Sequence, residues 1–402
     1  MISIEEARAR ILAAMEPVGS EVVALSEAVG RVLAAPLTAR RTQPPADVSA
    51  MDGYAVRALD AEEGAELRII GEAPAGHPFA GQVGPGEAVR LFTGSVVPEG
   101  ADAILLQEDA VLTAPQRLTV KERVIFGQHI RRRGIDFEEG EVILPAGRRL
   151  SPRDVGLAAA ANHPWLPVRR RPRVALLATG DEIVLPGEPV GPGGIVSSNT
   201  HALAALITAQ GAEAHLLPFA PDDREALARR LEDAEGFDLL VTTGGVSVGS
   251  YDLVGETLAA RGLALDFWKI AMRPGKPLLF GKLGRQPVIG LPGNPVAAYV
   301  CALLFLLPAL EAKAGLPPRP WPRRRARTRT ALQANDQRFD FLRARLSSDE
   351  EGEIWAEAFA VQDSSLQKIL AEADGLILRP PFAPALAAGE PVEVLVLADL
   401  GG

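Results

Sequence analysis

Two glycine-rich turns, each placed between an apolar run and a helical pattern, most constrain the fold of this chain. The first is residues 241–252, Val-Thr-Thr-Gly-Gly-Val-Ser-Val-Gly-Ser-Tyr-Asp, and the second is residues 291–295, Leu-Pro-Gly-Asn-Pro. A single turn of this kind is most simply a tight turn. Two such turns at the edge of one sheet, each followed directly by a helix, would bring backbone N–H groups and helix dipoles together. They predict an anion-binding pocket.

Residues 171 to about 315 alternate between strand and helix patterns. Such alternation with buried strands predicts a mostly parallel sheet covered on both faces, with ligands beyond the carboxyl ends of the strands. Both glycine-rich turns and the segment 179–182, Thr-Gly-Asp-Glu, fall at that edge. We predict strands at 173–178, 214–219, 237–240 and 264–270, and helices at 200–210, 222–235, 252–260 and from 296.

The flanking regions predict three further domains. Helical patterns occupy 3–14, 25–33 and 151–161, while 46–140 holds short strands, such as 66–70 and 101–106, among Gly and Pro turns. Beyond residue 316 a Pro-rich linker leads into short alternating strands, typical of a small β-barrel or sandwich. The predicted domains are a discontinuous helical domain (1–45 and 138–170), an inserted β-rich domain (46–137), a three-layer α/β domain (171–315) and a C-terminal β-barrel-like domain (316–402).

Composition narrows the function classes. The chain has 402 residues, which favours several domains, and its net charge of −9 argues against general binding to nucleic acid or anionic lipid. The one cysteine, Cys301, excludes an intrachain disulfide framework and suits a reducing cytoplasm. The N-terminus does not resemble a secretory signal, and the uncharged stretch 287–310 is broken by Gly and Pro, so we expect a core helix there rather than a membrane span.

Acidic residues at turns are the first candidates for chemistry. Each one alone has a simpler explanation, because Asp and Glu are favoured at turns and helix N-termini. Glu182 and Asp252 adjoin the predicted pocket, and carboxylates beside a phosphate site suit Mg²⁺ held by oxygen ligands. The five histidines lack metal-ligand spacing, which disfavours zinc. The acidic candidates are Asp52, Asp136, Glu182, Asp222 and Asp252.

Basic residues supply a complementary set. Lys269, Arg273 and Lys276 lie on an irregular segment bent by Pro and Gly, which is either a solvated strand end or a clamp on an oxyanion. We favour the clamp, because the acidic chain otherwise repels anions. The arginine-rich run 323–329 is more simply an exposed strand than an RNA site, since aromatic residues do not interleave it. No Ser-His-Asp order or reactive cysteine setting supports covalent catalysis.

An ordered set of motifs resembles the molybdopterin molybdenumtransferase family, which includes bacterial MoeA and the homologous C-terminal domain of gephyrin. The resemblance covers essentially the whole chain, and the set is far more specific than any one motif. The matching segments are Met-Asp-Gly-Tyr-Ala-Val at 51–56, Phe-Thr-Gly at 92–94, Pro-Glu-Gly-Ala-Asp-Ala at 98–103, Arg-Arg-Gly-Ile-Asp at 132–136, Ala-Thr-Gly-Asp-Glu at 178–182, Thr-Gly-Gly-Val-Ser-Val-Gly at 243–249, Arg-Pro-Gly-Lys-Pro at 273–277, Leu-Pro-Gly-Asn-Pro-Val at 291–296 and Ala-Asp-Gly-Leu-Ile at 373–377.

The resemblance implies an elongated four-domain homodimer with a molybdopterin-binding α/β domain. The implied reaction takes adenylylated molybdopterin and molybdate, inserts molybdenum with Mg²⁺ present, and releases AMP. A molybdopterin adenylyltransferase and cofactor-accepting apoenzymes are the implied partners; neither nucleic acid nor a membrane is expected.

The resemblance also implies roles for individual residues. Asp52 is similar to an essential acid supplied by the β-rich domain, and Glu182 and Asp252 are the expected metal ligands. Arg273 stands where the family often has Lys, and 362–365 where it often has a Gly-Ser-rich turn, which leaves the role of Ser365 open. The implied catalytic positions are Asp52, Thr93, Asp136, Glu182, Asp222 and Asp252. The substrate-binding positions are Gly244, Gly245, Ser247, Gly249, Lys269, Arg273, Lys276, Pro292, Gly293, Asn294, Pro295, Arg338 and Ser365.

Three other functions stay open from sequence. A molybdopterin adenylyltransferase resembles residues 171–315 alone, and the additional domains argue against it. A scaffold is suggested by the gephyrin homologue, but this chain has no long polar linker. A carrier that binds cofactor without turnover would be expected to lack the acidic residues, which are all present.

Overall fold

The structure is a computed structural model that describes residues 1–244 and 253–400. It divides into two compact units, which are described separately below. The first unit comprises Met1–Glu21, Gly30–Ala34 and Val168–Gly402, and the second comprises Val22–Val29 and Ala35–Pro167.

The α-helices of the described residues, in chain order, are α1 Ile4–Ala13, α2 Pro152–Ala160, α3 Asn199–Ala209, α4 Arg224–Asp233, α5 Leu253–Ala260, α6 Pro295–Cys301, α7 Leu307–Lys313, α8 Gln367–Glu372 and α9 Leu397–Leu400. Short 3₁₀ turns lie at Leu25–Glu27, Ala58–Asp60 and Gln107–Asp109. The helix predicted at 25–33 is wrong, because only the first of these turns forms there. Gly30 then adopts φ +79°, a left-handed conformation that ends helices.

The second unit is built on a six-stranded sheet in the order β7-β4-β6-β5-β9-β8. The helix after the sheet, α2, begins with a capping box in which Ser151 and Asp154 satisfy each other's backbone N–H groups. The strands up to residue 169 are β1 Ser20–Ala24, β2 Leu37–Thr38, β3 Val48–Ser49, β4 Gly53–Val56, β5 Glu66–Ala73, β6 Glu87–Leu91, β7 Ala103–Leu106, β8 Ala110–Ala114, β9 Arg117–Val120, β10 Ile130–Arg131, β11 Val142–Leu144 and β12 Trp165–Arg169.

The first unit contains the predicted α/β sheet, in the order β16-β13-β17-β21-β20-β18. Strands β16, β13, β17 and β21 pair in parallel, and β20 and β18 complete the sheet in antiparallel pairing. The mostly parallel sheet predicted from sequence is confirmed. The strands in this region are β13 Arg173–Ala178, β14 Ile183–Val184, β15 Ile195–Val196, β16 Glu213–Leu216, β17 Leu239–Thr243, β18 Leu263–Phe267, β19 Met272–Arg273, β20 Leu279–Leu283 and β21 Gln286–Leu291.

The C-terminal strands of the first unit close into a five-stranded barrel. Their order is β23-β24-β22-β26-β25, and β25 pairs back with β23. The short strand β19 of the α/β region joins the barrel by pairing with β23, which sets Arg273 beside Asp340. The barrel-like C-terminal region predicted from sequence is therefore confirmed. The strands are β22 Arg323–Thr328, β23 Phe339–Ser348, β24 Ile354–Ala358, β25 Gly375–Arg379 and β26 Pro391–Val396.

A long apolar helix forms the centre of the first unit's core. Helices α6 and α7 are joined by a π-helical turn at Ala302–Leu306. Pro308 lacks an N–H group and cannot complete regular α-helical bonding, which is a physical reason for the irregular turn. The N-terminal helix α1 buries Ile4 and Ile11 in the same apolar cluster. How the chain divides into four domains remains a prediction.

This central helix is also the one candidate membrane span among the described residues. Pro295–Lys313 is long and apolar enough by length and composition, but 78% of its most apolar window is buried inside the protein. Burial within the core accounts for its apolar sequence.

Gly275 gives a stability prediction, because it lies against the central helix with φ +106°. A Cβ atom there would be 2.4 Å from Cys301 Sγ. We expect Gly275→Ala to lower the free energy of unfolding by about 2–4 kcal/mol through overpacking and backbone strain. Urea unfolding measures this. Gly284→Ala is the control and should lose only about 1 kcal/mol, since Gly284 has φ +58° and a Cβ atom there would have no atom of the described residues within 4 Å. Equal losses would contradict the steric argument.

Candidate functional site

A cleft lies at the carboxyl ends of three neighbouring parallel strands. Ala178 of β13 pairs with Thr243 of β17, which pairs with Leu291 of β21, so the three strands end level with one another. Thr179, Gly244 and Pro292 follow these ends and line a cavity of about 690 Å³. This is the edge at which the sequence predicts a ligand pocket.

The floor of the cleft brings backbone close to the open space. Gly244 has φ +91°, and a Cβ atom there would lie 2.7 Å from the carbonyl oxygen of Thr179, so a side chain does not fit. Among the atoms of residues 1–244 and 253–400, a Cβ on Gly293 would meet only Gly244 Cα, at 3.6 Å. The Asn199 amide fixes both turns by donating to Thr243 Oγ1 at 3.0 Å and to the Gly293 carbonyl at 2.7 Å.

One side of the cleft is acidic and includes Glu182 and Asp222. Asp223 caps helix α4 by accepting from the Ala226 N–H at 2.8 Å, so Asp222 lies just outside the helix instead of within it. Burial raises the pKa of Asp222, and the nearby charges of Asp181 and Glu182 raise it further. A bound cation would relieve this clustering of negative charge.

The predicted magnesium ligands are Glu182 and Asp252, and only Glu182 can be placed. Asp252 lies outside the described residues, as do Gly245, Ser247 and Gly249. Within residues 1–244 and 253–400, no three His, Cys, Asp or Glu side chains are grouped to hold a metal ion. Glu182 and Asp222 fit the way Mg²⁺ is usually bound, by one or two carboxylates plus phosphate oxygens and water.

The opposite side of the cleft is basic, but its two arginines are neutralised by aspartates. Arg273 Nε donates to Oδ1 of the buried Asp340 at 3.0 Å. Arg338 Nη2 donates to Asp336 Oδ2 at 2.6 Å, and its hydrogen bonds hold the pKa of Asp336 well below the usual range. Lys276 forms no ion pair with any described residue. Among the described residues, Lys276 is thus the cation of this wall that no carboxylate pairs.

A loop of the barrel region completes the cleft with Gln362, Asp363 and Ser364. Arg343, only 1% exposed, holds the loop by donating from Nη1 to the Asp363 carbonyl at 2.7 Å. Asn294 Nδ2 donates to Ser364 Oγ at 2.8 Å, which joins the loop to the second glycine-rich turn. The barrel therefore supplies one wall of the cleft.

The cleft gathers nine of the predicted site residues and leaves out three others of the same unit. Lys269 instead lies over the Trp268 ring, Pro295 lines a neighbouring pocket, and the Ser365 hydroxyl donates to Asp363 Oδ1 at 2.6 Å. The residues that line the cleft as predicted are Glu182, Asp222, Gly244, Arg273, Lys276, Pro292, Gly293, Asn294 and Arg338.

The remaining predicted residues lie in the second unit. Asp52 accepts hydrogen bonds from the Thr93 backbone N–H at 2.7 Å and from Thr93 Oγ1 at 2.8 Å. The backbone bond is the main cause of a lowered pKa for Asp52, so this carboxylate stays ionised to a lower pH than an ordinary aspartate. Asp136 is exposed, and its backbone N–H donates to the Gln43 carbonyl at 3.1 Å.

Sequence reasoning missed the residues that hold the basic wall and the barrel loop. Asp336 and Asp340 lie two residues to either side of Arg338, and this alternation of charge could have suggested ion pairs. The sequence around Arg343 does not indicate its role, because only its burial in the folded barrel distinguishes it from other arginines.

Comparisons with known proteins identify the family. A model of the MoeA N-terminal region (domain I and II) matches residues 2–162, and one of a probable molybdopterin binding domain matches residues 175–312. A model of the MoeA C-terminal region (domain IV) matches residues 325–397. The three models together span most of the chain.

Individual proteins agree with these models. A molybdopterin molybdenumtransferase of Haemophilus influenzae is 33% identical over 399 residues, which covers 98% of each chain. One from Nostoc sp. is 38% identical over 314 residues, covering 74% of this chain and 70% of the relative. A crystal structure of a molybdopterin biosynthesis MoeA protein from Pyrococcus horikosii has a TM-score of 0.86 and 30% identity, covering 98% of this chain and 99% of that one. This chain belongs to the MoeA, or molybdopterin molybdenumtransferase, family.

Proposed function

We propose that this protein inserts molybdenum into molybdopterin during molybdenum cofactor biosynthesis. Its substrates are molybdate and adenylylated molybdopterin, and AMP is released. The observation that carries the proposal is the cleft itself, with glycine turns on its floor, carboxylates on one side and Lys276 on the other. That arrangement suits two anionic substrates and a divalent cation.

Glu182 and Asp222 would hold Mg²⁺, together with Asp252. The ion would neutralise negative charge that develops on the bridging phosphate oxygen as the bond to AMP breaks. The raised pKa of Asp222 supports this role: partial burial is its main cause and the charges of Asp181 and Glu182 add to it, and a nearby cation would offset both effects.

Lys276 and the floor of the cleft would hold the substrates in position. The ammonium group attracts an oxyanion such as molybdate without first having to leave a carboxylate partner among the described residues. Gly244 and Gly293 leave room for the pterin phosphate to approach the backbone. If molybdate is held beside the dithiolene sulfurs of molybdopterin, which are to receive molybdenum, the orientation of the two substrates accelerates the insertion.

Asp52 is proposed to place the metal ion or the attacking oxygen as an ionised carboxylate. The two hydrogen bonds from Thr93 fix the orientation of that carboxylate. We further propose that the protein works as a homodimer, receives its substrate from a molybdopterin adenylyltransferase and delivers its product to apoenzymes.

The reaction predicts molybdate-stimulated, Mg²⁺-dependent release of AMP from adenylylated molybdopterin. Chromatography measures AMP, and reconstitution of an apoenzyme measures active cofactor. Consumption of ATP with release of pyrophosphate would instead identify an adenylyltransferase. Tight binding without AMP release would identify a carrier, and no binding would remove the proposal.

Asp52→Asn is expected to slow AMP release by at least about 100-fold, because a neutral amide cannot replace an ionised carboxylate at a reacting centre. Asp60→Asn is the matched control, since the Asp60 carboxylate also accepts a backbone N–H, from Gly86 at 3.1 Å. It should retain the wild-type rate. Near wild-type turnover in Asp52→Asn would exclude the proposed role.

Two glycine substitutions separate folding from ligand binding. Gly244→Ala should lower the melting temperature, because its Cβ clashes with the Thr179 carbonyl. Gly293→Ala should leave the melting temperature nearly unchanged and weaken molybdopterin binding about tenfold or more, because the methyl group occupies space needed by the ligand. Calorimetry measures both. Unchanged affinity in Gly293→Ala would show that the ligand does not approach this turn.

A further inference from the structure

A second cavity, which we call the amino-edge cavity, lies at the edge of the α/β sheet opposite the cleft. Its volume is about 520 Å³. It is lined by residues around the amino ends of β17 and β21, including Phe237, Asp238 and Gln286, and by the end of the central helix at Lys313. The proposed reaction uses none of these residues.

The acidic groups of the amino-edge cavity, Asp238 and Glu235, both have arginine partners within the protein. Asp238 binds the Arg170 guanidinium through both oxygens, at 2.7 and 2.6 Å, and accepts the Arg173 N–H at 2.7 Å. Glu235 lies 4.0 Å from Arg261, which also pairs with Glu232. Asp238 is therefore neutralised by its own arginine, whereas the exposed Glu235 shares Arg261 with Glu232.

Lys313 is the buried charge that remains. The residue is 7% exposed, yet its ammonium forms no hydrogen bond or ion pair with any described residue. Burial lowers the pKa of Lys313; Asp238 and Glu16 oppose this at longer range, and Lys282 and Arg170 add to it. A mostly buried lysine whose ammonium lines a cavity without a close counter-charge is costly, and an anion bound in that cavity would offset the cost.

A second positive charge and an apolar surface define the ligand further. Arg285, on the rim, has a side chain 96% exposed and lies 4.0 Å from the Glu16 carboxylate, so its contact is weak. Leu231, Phe237 and Leu283 also line the cavity, whose volume exceeds that of one phosphate ion.

We propose that the amino-edge cavity binds a phosphate dianion, with Lys313 as its principal contact. The volume and the apolar lining further favour a phosphate monoester over the inorganic ion. This site is distinct from the cleft and does not depend on the proposed reaction.

The test is calorimetric titration of inorganic phosphate and of phenyl phosphate at constant ionic strength. It is done in a Lys276→Met background, which weakens anion binding in the cleft. Adding Lys313→Met should weaken phosphate binding at least tenfold, because it removes a charged hydrogen-bond donor from the anion. Lys313→Arg should retain binding. Tighter binding of phenyl phosphate identifies a monoester as the ligand form, and equal binding identifies the inorganic ion.

Two further measurements distinguish loss of the phosphate site from misfolding of a variant and from failure of the proposed function. In the unmutated protein, phosphate should slow acetylation of Lys313, read by mass spectrometry, but not that of the exposed Lys368. Lys313→Met alone should leave AMP release unchanged, because it lies at the other edge of the sheet. Equal phosphate affinity with and without Lys313→Met, or no protection of Lys313 from acetylation, would overturn the proposal.

Discussion

The parallel register of β13, β17 and β21 is the constraint on which the cleft depends. Side chains alternate between the two faces of a strand, so a shift of one residue would turn every inward side chain outward. The observed register brings Thr179, Gly244 and Pro292 level at the carboxyl edge. Three turns distant in sequence thereby become one surface, with the acidic, basic and backbone groups at its rim.

In the first unit, most basic side chains of the cleft are paired with carboxylates and do not form a free positive cluster. Arg273 and Arg338 line the cleft but are occupied by Asp340 and Asp336, respectively. The paired arginines serve chiefly to shape the wall, because their guanidinium groups are held in place by carboxylates. Lys276 in the cleft and Lys313 at the other edge differ from them, and both are suited to external anions.

The sequence predicted the parallel strands β13 and β17, because each contains an apolar run and is followed by a turn that contains Gly. It did not predict β20, Leu279–Leu283, which completes the sheet although Gly281 interrupts its apolar run. The helix expected at 25–33 failed since local apolar spacing was outweighed by Gly30 in a left-handed conformation. A motif locates a residue along the chain but does not determine which way its side chain points. Lys269 and Lys276 belong to one segment, yet only Lys276 lines the cleft.

Long-range pairs were the part of the site that could not be predicted. Asp340 meets Arg273 only because β19 pairs with β23, although the two residues are 67 positions apart in the sequence. Arg343 is likewise invisible until the barrel buries it. Two sets of roles in the proposed reaction remain predictions: those of Gly245, Ser247, Gly249 and Asp252, and those of Asp52, Thr93 and Asp136.

The pairing of β19 with β23 also bears on how proteins of this architecture can diverge. The loop that carries Lys276 is anchored at its amino end to the barrel rather than to the parallel sheet. Mutations at Phe339 or Asp340 would consequently change the geometry of the cleft, although both residues belong to the barrel. The barrel is therefore not an exchangeable module, and recombination between homologues at the linker before β22 should succeed only when both sides of this strand pair are inherited together.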